Sequence, residues 1–391
     1  MAGTGLPLAG VRVIEMTHMV MGPTCGMILA QLGAEVIKVE PPQGDKTRSL
    51  GGMGVSFFPL FNRGKRSVVL DFAKPEDRDT MHRLLATADV FVENFRDGQL
   101  EKQDLGPDEL RKRYPQLIVC GHKGFLSGPY EHRPALDEVV QMMSGLAAMT
   151  GTRDKPQRVG SSANDIMGGM FGAISILAAL YQKRGGAKDR TEHGADIRIG
   201  LFENCLFLVA QHMVEYEMTG NKPRSMPERE HAWPIYDIFD AAGEDRIFIG
   251  VVTEGHWQAF CREFGLQEFL DDPSLATTTD RILARSRIIP RVAEEIKRWN
   301  VAELSERLDL LNICFSPINR PEDLLRDPHV LRPGGLVQNV NADGKPFRVP
   351  ALPVEWNGGN IGEGLHVPVL GADTAAVRAE LNKQKSTDNA A

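Results

Sequence analysis

Short apolar strands alternate with helical segments through the first half of the chain, and this alternation constrains the fold more than any other feature. Helices predicted at 22–32 and 76–86 separate strands rich in valine, isoleucine and phenylalanine. The predicted strands are 10–15, 35–40, 66–71, 89–94, 117–121 and 194–199. Because strand–helix–strand units build parallel sheets with helices on both faces, the sequence predicts an α/β fold with a doubly wound, mostly parallel sheet.

Two polar segments divide the chain and predict a second, smaller domain. Two strands form a predicted hairpin, and helical segments follow it, a combination that is typical of an α+β domain. The hairpin strands are 235–240 and 246–251, and the helices are 256–264, 281–299 and 301–311. The predicted boundaries are a large domain at 1–219 and 331–391, linkers at 220–230 and 321–330, and a small domain at 231–320.

The composition argues against several classes of protein. The 391 residues carry a net charge of -7, whereas a nonspecific nucleic-acid binder needs a basic surplus. The five cysteines are widely spaced and include no CxxC pair, so neither a zinc site nor a disulfide framework is predicted. No secretory leader is recognised, and no apolar run is expected to reach the roughly 20 residues of a membrane span. We therefore expect a cytoplasmic protein without a metal, a nucleic-acid partner or a membrane partner.

The functional site is expected at the carboxyl edge of the sheet, where doubly wound folds bind their ligands. The segments that follow strands at this edge are 17–23, 40–48, 94–102 and 122–128. The first of these turns holds one glycine, Gly22, and neither GxGxxG nor GxxxxGK[ST] occurs in the chain. The fold therefore does not imply a dinucleotide or ATP site.

Five separated segments carry a family resemblance: MTHMVMGPTCGMILAQLGAEVIKVEPP, FNRGKRSVVLDF, DVFVENFRDGQL, KGFLSGP and NDIMGGMFGAISILAALYQK. In this order they resemble the class III CoA-transferase family, which also contains α-methylacyl-CoA racemases. The resemblance extends from about Leu8 to about Leu370 and includes the small-domain segment WPIYDIFDAAGEDRIFIGVVTEGHWQAFC. It implies an enzyme that moves CoA from an acyl-CoA to a carboxylic acid, with CoA thioesters as substrates and no permanently bound cofactor.

The resemblance implies that Asp165 is the nucleophile, at the start of an apolar helix predicted over 165–182. A carboxylate that attacks a thioester gives a mixed anhydride and a thiolate, which can return to form an aspartyl-CoA thioester. A helix start suits this group, since the helix dipole stabilises negative charge there. Aspartate is also a favoured N-cap residue, so simple capping is the alternative. His18, in a turn that resembles the family's thioester loop, is expected to donate a hydrogen bond to the thioester or anhydride oxygen.

Residues that bind CoA are also implied by the resemblance. CoA carries phosphates that require cations and an adenine that requires an apolar or planar slot. Some relatives have arginine where this chain has Lys102, so the positive charge is kept at that position. Some have glutamine where this chain has Val20, so the side-chain amide is missing there. The predicted set is Val20, Lys65, Arg66, Asn94, Phe95, Arg96, Lys102 and Lys123. For any single cation of this set, a solvated surface position is the alternative.

Two other functions compete with CoA transfer. Racemisation needs two acid–base groups that flank the α-carbon, and the racemases of the family carry a His-Asp pair where this chain has Leu136 and Asp137. The missing histidine argues against a racemase, and Asp137 and Glu138 are interpreted as carboxylates of a helix N-terminus. The other alternative is a catalytically silent CoA-binding subunit of a mixed complex, against which Asp165 argues.

A small dicarboxylate is the predicted acceptor, with succinyl-CoA as the predicted donor. The segment RSMPEREHAW, residues 224–233, concentrates arginine, and a guanidinium fork suits the second carboxylate of such an acid. Arg224 and Arg229 are the candidates, and solvation of a linker is their alternative role. The resemblance also implies a homodimer of two interlocked ring-shaped subunits, which long polar linkers would permit.

Overall fold

The chain forms two compact units. The computed structural model describes residues 5–185, 193–362 and 364–388. The large unit comprises Met1–Pro227 and Leu331–Ala391, and the small unit comprises Glu228–Val330. Most of the first predicted linker thus belongs to the large unit, and the whole second predicted linker belongs to the small unit. The ends of the predicted large domain, at 1–4 and 389–391, lie outside the described residues.

A six-stranded sheet forms the centre of the large unit. Its strands are β1 (Arg12–Met16), β2 (Glu35–Glu40), β3 (Arg66–Val69), β4 (Val90–Glu93), β5 (Ile118–Lys123) and β6 (Asp196–Gly200). They lie in the order β3-β2-β1-β4-β5-β6, and every neighbouring pair is parallel. The prediction of an α/β fold with a parallel sheet is confirmed.

Helices connect these strands and cover the sheet. They are α1 (Met21–Gln31), α2 (Phe57–Phe61), α3 (Pro75–Ala86), α4 (Pro107–Arg113), α5 (Asp137–Met143), α6 (Leu146–Thr150), α7 (Ala163–Lys183) and α8 (Leu201–Thr219). Short 3-10 turns lie at Lys46–Ser49, Gly52–Ser56 and Glu101–Gln103.

The sheet has a hydrophobic core on each face, and successive residues of a strand pack alternately into the two cores. Val13 and Ile14 are both fully buried, yet Val13 packs with residues of α1 and α7, whereas Ile14 packs with residues of α3. Successive side chains of a strand point to opposite faces, so a strand buried on both faces reads as a continuous apolar run. This explains why the strands were recognisable from the sequence.

The small unit consists of a three-stranded antiparallel sheet with helices. Its strands are β7 (Ile235–Asp240), β8 (Arg246–Val251) and β9 (Cys314–Pro317), and its helices are α9 (Glu254–Glu263), α10 (Gln267–Leu270), α11 (Thr278–Leu283), α12 (Arg285–Ile296) and α13 (Val301–Leu310). The predicted hairpin is confirmed, while β9 was not predicted. The single helix predicted over 281–299 is wrong. Two helices meet at Ala284, whose backbone (φ -88°, ψ 10°) leaves the α-helical region.

The chain then returns to the large unit and closes it with a terminal helix. The last elements are β10 (Leu336–Val340), β11 (Pro346–Pro350), β12 (Glu355–Trp356), β13 (Gly359–Asn360) and α14 (Thr374–Asp388). Val377 of α14 is buried in the core that α3 lines. Arg66, at the start of β3, binds Glu380 of α14 with a 2.8 Å contact and also pairs with Glu35. This ionic cluster attaches α14 to the amino edge of the sheet.

α7 is a long and unusually apolar helix, although its first turn contains polar residues. Within the described residues it is the one helix long and apolar enough to cross a membrane by length and composition, so the expectation that no run reaches this length is wrong. The core helix of a globular domain passes the same test. Here, Gly168, Gly169 and Gly172 are buried in contact with α1 and β5, so the small apolar residues serve close packing.

Candidate active site

The loop between β1 and α1 is held at the carboxyl edge of the sheet by residues that follow the neighbouring strand β4. The Asn94 amide accepts a hydrogen bond from the backbone N–H of His18 at 3.0 Å and donates one to the His18 carbonyl at 2.7 Å. Phe95 is half-buried, with its ring centroid 5.7 Å from that of His18. Three predicted site residues, His18, Asn94 and Phe95, therefore meet here.

The imidazole of His18 is exposed, yet the surrounding protein changes its acidity. Desolvation lowers the pKa of His18, and the nearby ammonium of Lys38 acts in the same direction, against an opposing effect of the Asp45 carboxylate. The neutral ring therefore dominates at neutral pH and carries one N–H donor. A positioned donor of this kind can stabilise an oxyanion.

Asp165 is the third residue of α7 and is half-buried. Desolvation, reinforced by the charge of Asp137, raises the pKa of Asp165 to about 7. The alternative that Asp165 merely caps its helix is wrong, because the N-cap residue is Ser162 and Asp165 is already the third residue of the helix. A carboxyl group that is poorly solvated and close to its titration point near neutral pH is typical of a functional site.

A second carboxylate supports the start of α7. Asp137, the first residue of α5, is buried and accepts a 3.3 Å hydrogen bond from the backbone N–H of Asp165 through Oδ1. The side chain of Gln141 donates to Asp137 Oδ2 and accepts a 2.9 Å bond from the N–H of Val159. Desolvation raises the pKa of Asp137 as well, while hydrogen bonds and the charge of Arg158 oppose this rise.

Sequence reasoning found Asp137 but gave it too small a role. It was interpreted as a carboxylate at a helix N-terminus, which the start of α5 at Asp137 confirms. Its contact with the next helix but one was missed, because the hydrogen bond spans 28 residues and leaves no local pattern. Glu138 pairs with Arg158, a cation that sequence reasoning also did not select.

Glycines bring α7 against the first turn of α1. A Cβ on Gly169 would lie 2.5 Å from Thr24 Cβ and 2.7 Å from the carbonyl oxygen of Met21. A Cβ on Gly168 would lie 2.4 Å from Cε of Met21. Only glycine permits so close an approach of the two helices. Asp165 stands one turn before Gly169, so this packing fixes the nucleophile candidate relative to the helix that follows the His18 loop.

Four predicted CoA ligands have other roles. Lys65 is fully buried, and its ammonium contacts Glu15 at 2.8 Å, the Pro23 carbonyl and the Asn62 side chain, so its assignment to a CoA phosphate is wrong. Val20 is also buried, in a cluster with Met27.

The other two are cations engaged with carboxylates. Arg66 lies at the amino edge of the sheet, in the cluster that attaches α14, and not at the carboxyl edge. Lys123 contacts Glu93 at 2.9 Å and Asp97 at 3.2 Å, and it neutralises the buried Glu93. The position of Arg66 at the amino edge makes its assignment to a CoA phosphate wrong, whereas the assignment of Lys123 stays a prediction.

Arg96 and Lys102 remain as the exposed cations near this edge. Both side chains are exposed, and in the part of the chain that the structure describes neither forms an ion pair. Arg96 follows Phe95 directly, and Lys102 lies in the next 3-10 turn. Their assignment to CoA phosphates stays a prediction.

The two predicted substrate arginines fall in different units. Arg224 belongs to the large unit, and Arg229 belongs to the small unit. The guanidinium of Arg229 lies 5.9 Å from the centroid of the Tyr236 ring. Their assignment to the substrate also stays a prediction. No cluster of three or more metal-ligating side chains occurs in the described residues.

Comparison with known proteins decides the family. The family model described as CoA-transferase family III matches residues 8–374. The chain belongs to this family. A CaiB/BaiF family protein from Brucella suis, whose crystal structure is known, is 32% identical with a TM-score of 0.87, over 97% of this chain and all of that one.

Relatives of this family III CoA-transferase have named activities. The succinate–glutarate CoA-transferase of Agrobacterium fabrum is 30% identical over 97% of each chain. The succinyl-CoA:mesaconate CoA-transferase of Haloarcula marismortui is 33% identical over 83% of each chain. The family and these similarities make the chain a CoA-transferase that uses CoA thioesters as substrates.

The position of Leu136 agrees with transfer rather than racemisation. Leu136 is the N-cap residue of α5 and is 62% exposed, directly before Asp137. Its hydrocarbon side chain cannot exchange a proton with the α-carbon of an acyl group.

Proposed function

We propose that this CoA-transferase moves CoA from succinyl-CoA or a similar donor to a small dicarboxylate through a covalent intermediate on Asp165. The observation that carries the proposal is the environment of Asp165. Its carboxyl group is poorly solvated, and its pKa is about 7 beside the charge of Asp137. A partly desolvated carboxylate is a stronger nucleophile than a fully solvated one, because less of its hydration shell has to be removed before attack.

The reaction consists of four displacements at carbonyl carbons. A carboxylate oxygen of Asp165 attacks the thioester, the C–S bond breaks, and a mixed anhydride and CoA thiolate result. The thiolate attacks the aspartyl carbonyl and expels the donor acid, which leaves an aspartyl-CoA thioester. The acceptor carboxylate attacks this thioester, the C–S bond breaks to release CoA thiolate, and a second anhydride forms. The thiolate then attacks the acceptor's carbonyl, so that new acyl-CoA leaves and the Asp165 carboxylate is restored.

His18 serves this sequence as a hydrogen-bond donor. Each displacement places negative charge on a carbonyl oxygen, and a fixed N–H stabilises that charge more than mobile water does. The lowered pKa of His18 favours the neutral ring, so this donor does not depend on a protonated imidazole. Asn94 fixes the backbone of the same residue.

CoA itself is bound by the segment that follows β4. Asn94 and Phe95 offer an amide and a planar apolar surface, and the exposed cations Arg96 and Lys102 suit the phosphates. Lys102 acts as a point charge, without the bidentate fork of an arginine.

The acid substrates are dicarboxylates in this proposal. The named relatives act on succinate, glutarate and mesaconate, and the acetyl-CoA:oxalate CoA-transferase of Acetobacter aceti is 32% identical. The second carboxylate of such an acid requires a cation, for which Arg224 and Arg229 are the candidates. A long-chain acid would instead require a large apolar pocket.

The assembly proposed is an interlocked homodimer in the cytoplasm. Six exposed side chains form an apolar face on two adjacent helices: Met170, Ile174 and Tyr181 of α7, and Phe207, Val214 and Met218 of α8. The rings of Phe171 and Phe207 meet edge to face at 5.5 Å and join the two helices. A contiguous apolar face of this kind favours a protein partner. All five cysteines are free thiols, which suits a reducing compartment.

An acceptor panel tests the proposed reaction. Purified protein is supplied with succinyl-CoA and with glutarate, mesaconate, butyrate or benzoate, and new acyl-CoA is detected by mass spectrometry. Dicarboxylates are expected to be used at least about tenfold better than butyrate, since loss of one charge-assisted bond costs about that factor. Arg224→Ala or Arg229→Ala is expected to raise KM for the dicarboxylate alone. Equal use of butyrate, with no effect of either arginine, would rule out the dicarboxylate assignment.

A further inference from the structure

We propose that Lys38 and Lys65 are positioning residues, which hold the β1–α1 loop in the conformation that presents His18. The loop consists of residues 17–20, and α1 begins directly after it. The inference rests on the proposed function only for the role of His18 as a hydrogen-bond donor to the substrate. That the two lysines hold the loop follows from their contacts.

Lys38 holds the beginning of the loop. It lies in β2, where it is paired in register with Glu15 of β1, and its side chain is 1% exposed. Its ammonium donates to the carbonyl oxygen of Thr17 at 2.7 Å and contacts the Asp45 carboxylate at 3.1 Å. A charged donor in a dry site makes a strong hydrogen bond to a backbone carbonyl. The backbone at Thr17 is thereby fixed to the neighbouring strand.

Lys65 holds the other side of the loop. It precedes β3, and its ammonium donates to the carbonyl oxygen of Pro23, in the first turn of α1, at 2.9 Å. The same group donates to Glu15 at 2.9 Å and to the Asn62 side chain at 3.0 Å. Glu15, which is fully buried, therefore connects the two lysines, and the hydroxyl of Thr17 donates to it at 2.8 Å.

Glycines leave room for this ion cluster beneath the loop. A Cβ on Gly26 would lie 1.7 Å from Oε2 of Glu15, and a Cβ on Gly22 would lie 2.5 Å from Cγ2 of Thr17. Neither position accepts a larger residue without moving the carboxylate or the loop. The first turns of α1 therefore require glycine at these two positions in order to pack against the cluster.

The loop between these contacts has a backbone conformation that requires support. Met19 has φ of 65°, in the left-handed region that residues other than glycine rarely adopt, and its side chain is exposed. Such a conformation persists when surrounding contacts over-determine it, and it concentrates at functional sites. Here Lys38 and Lys65 hold the flanks, and Asn94 holds both backbone groups of His18. Side chains from three neighbouring segments thus keep one loop in place.

A charge-balanced double variant separates positioning from general stability. Lys38→Met alone leaves Asp45 buried without its cation, so it is expected to lower the melting temperature for a trivial reason. Adding Asp45→Asn removes that charge, and the new side chain still accepts from Thr47 as the N-cap of its 3-10 turn. The double variant is expected to regain most of the melting temperature while the donor to Thr17 is still absent.

Kinetics and hydrogen exchange then report on the loop. In the double variant kcat is expected to fall at least about tenfold while KM for acyl-CoA changes less than about threefold, the signature of a lost transition-state contact. Adding His18→Ala is expected to lower kcat little further, since both changes remove the same contact. The backbone amides of residues 17–22 and of Thr24 are expected to exchange faster than in the wild type, with other segments unchanged.

The matched control removes an ion pair at the opposite edge of the sheet. Arg66→Met with Glu380→Gln is expected to lower the melting temperature and to leave kcat and loop exchange unchanged. The inference is overturned if the Lys38 double variant keeps kcat within about twofold of the wild type, or if its loop exchange equals that of the wild type. If the wild type transfers no CoA, the proposed function fails while the exchange measurement still tests the hold on the loop.

Discussion

The acidity of Asp165 depends on Asp137, whose carboxylate accepts a hydrogen bond from the Asp165 backbone. The proposed attack on a thioester requires the ionised form of Asp165, and its pKa of about 7 lies above the usual range. The raised value means that kcat/KM rises as the pH increases through about 7. Desolvation contributes most of the shift and Asp137 contributes the rest.

Removal of the Asp137 charge should move this rise to lower pH. Asp137→Asn keeps an acceptor for the Asp165 N–H and removes the negative charge, so the Asp165 carboxyl should ionise more easily. The ratio of kcat/KM at pH 6 to that at pH 8 is expected to increase. The control is Glu138→Gln, which alters a neighbouring carboxylate that pairs with Arg158 instead. An unchanged pH profile in Asp137→Asn would show that the two carboxyl groups are not coupled.

For single residues, the sequence shows which side chains could react but not which groups they contact. Asp165 and His18 were selected because their segments resemble a family, and the structure puts both on elements that meet at the carboxyl edge. The assignments of Lys65 and Arg66 failed for a physical reason: a sequence shows a charge but not the carboxylate that neutralises it. Glu15 is 50 residues from Lys65, and Glu380 is 314 residues from Arg66.

Among the elements, α1 and α7 determine the geometry of the site. The glycines of α7 allow the helices to approach so closely that Asp165 and the His18 loop share one edge of the sheet. The sequence predicted both helices to within a few residues, because their apolar composition is unmistakable. It could not predict their contact, since the sequence does not show which element packs against a Gly-Gly pair of a helix.

Gly169→Ala tests the close approach of the two helices. An added Cβ would lie 2.7 Å from the backbone oxygen of Met21, which cannot yield without moving α1. The free energy of unfolding is expected to fall by about 1–3 kcal/mol, in spite of the better helix propensity of alanine. Gly255→Ala, in α9, is the control, because the nearest contact of its Cβ would be Oγ1 of the N-cap residue Thr253, 3.8 Å away.

The two substitutions should change the free energy of unfolding in opposite directions. Gly255→Ala is expected to raise the free energy of unfolding by up to about 1 kcal/mol, since only propensity changes there. Urea unfolding of both variants provides the comparison. A Gly169→Ala protein as stable as Gly255→Ala would show that α1 and α7 do not require glycine at their contact.

For the whole molecule, the apolar face of α7 and α8 is the feature that a single chain leaves unexplained. Its side chains include Ile174, which is 57% exposed, and Phe207, which is 68% exposed. The sequence predicted α7 as a largely buried helix, and a second subunit would complete that burial. Interlocked subunits could not separate without unfolding, so exchange between dimers should be far slower than simple dissociation.

Mixing tagged and untagged protein measures this exchange. No hybrid dimers are expected under native conditions, and hybrids are expected after joint unfolding and refolding. Ile174→Asp with Phe207→Asp should prevent assembly, because buried unpaired carboxylates cost several kcal/mol. Leu310→Asp, at an 87% exposed position of α13, should leave the dimer intact. Rapid hybrid formation in native buffer would exclude interlocking.

In the proposed reaction, Asp165 becomes covalently attached to CoA during turnover. Protein incubated with succinyl-CoA is quenched in acid and digested, and the peptide that contains Asp165 is analysed by mass spectrometry. We predict a CoA adduct on Asp165, its conversion by hydroxylamine to a hydroxamate, and a loss of at least about 10²-fold in kcat for Asp165→Ala. An unmodified Asp165 under turnover, with more than about a tenth of wild-type activity in Asp165→Ala, would exclude a covalent role for this residue.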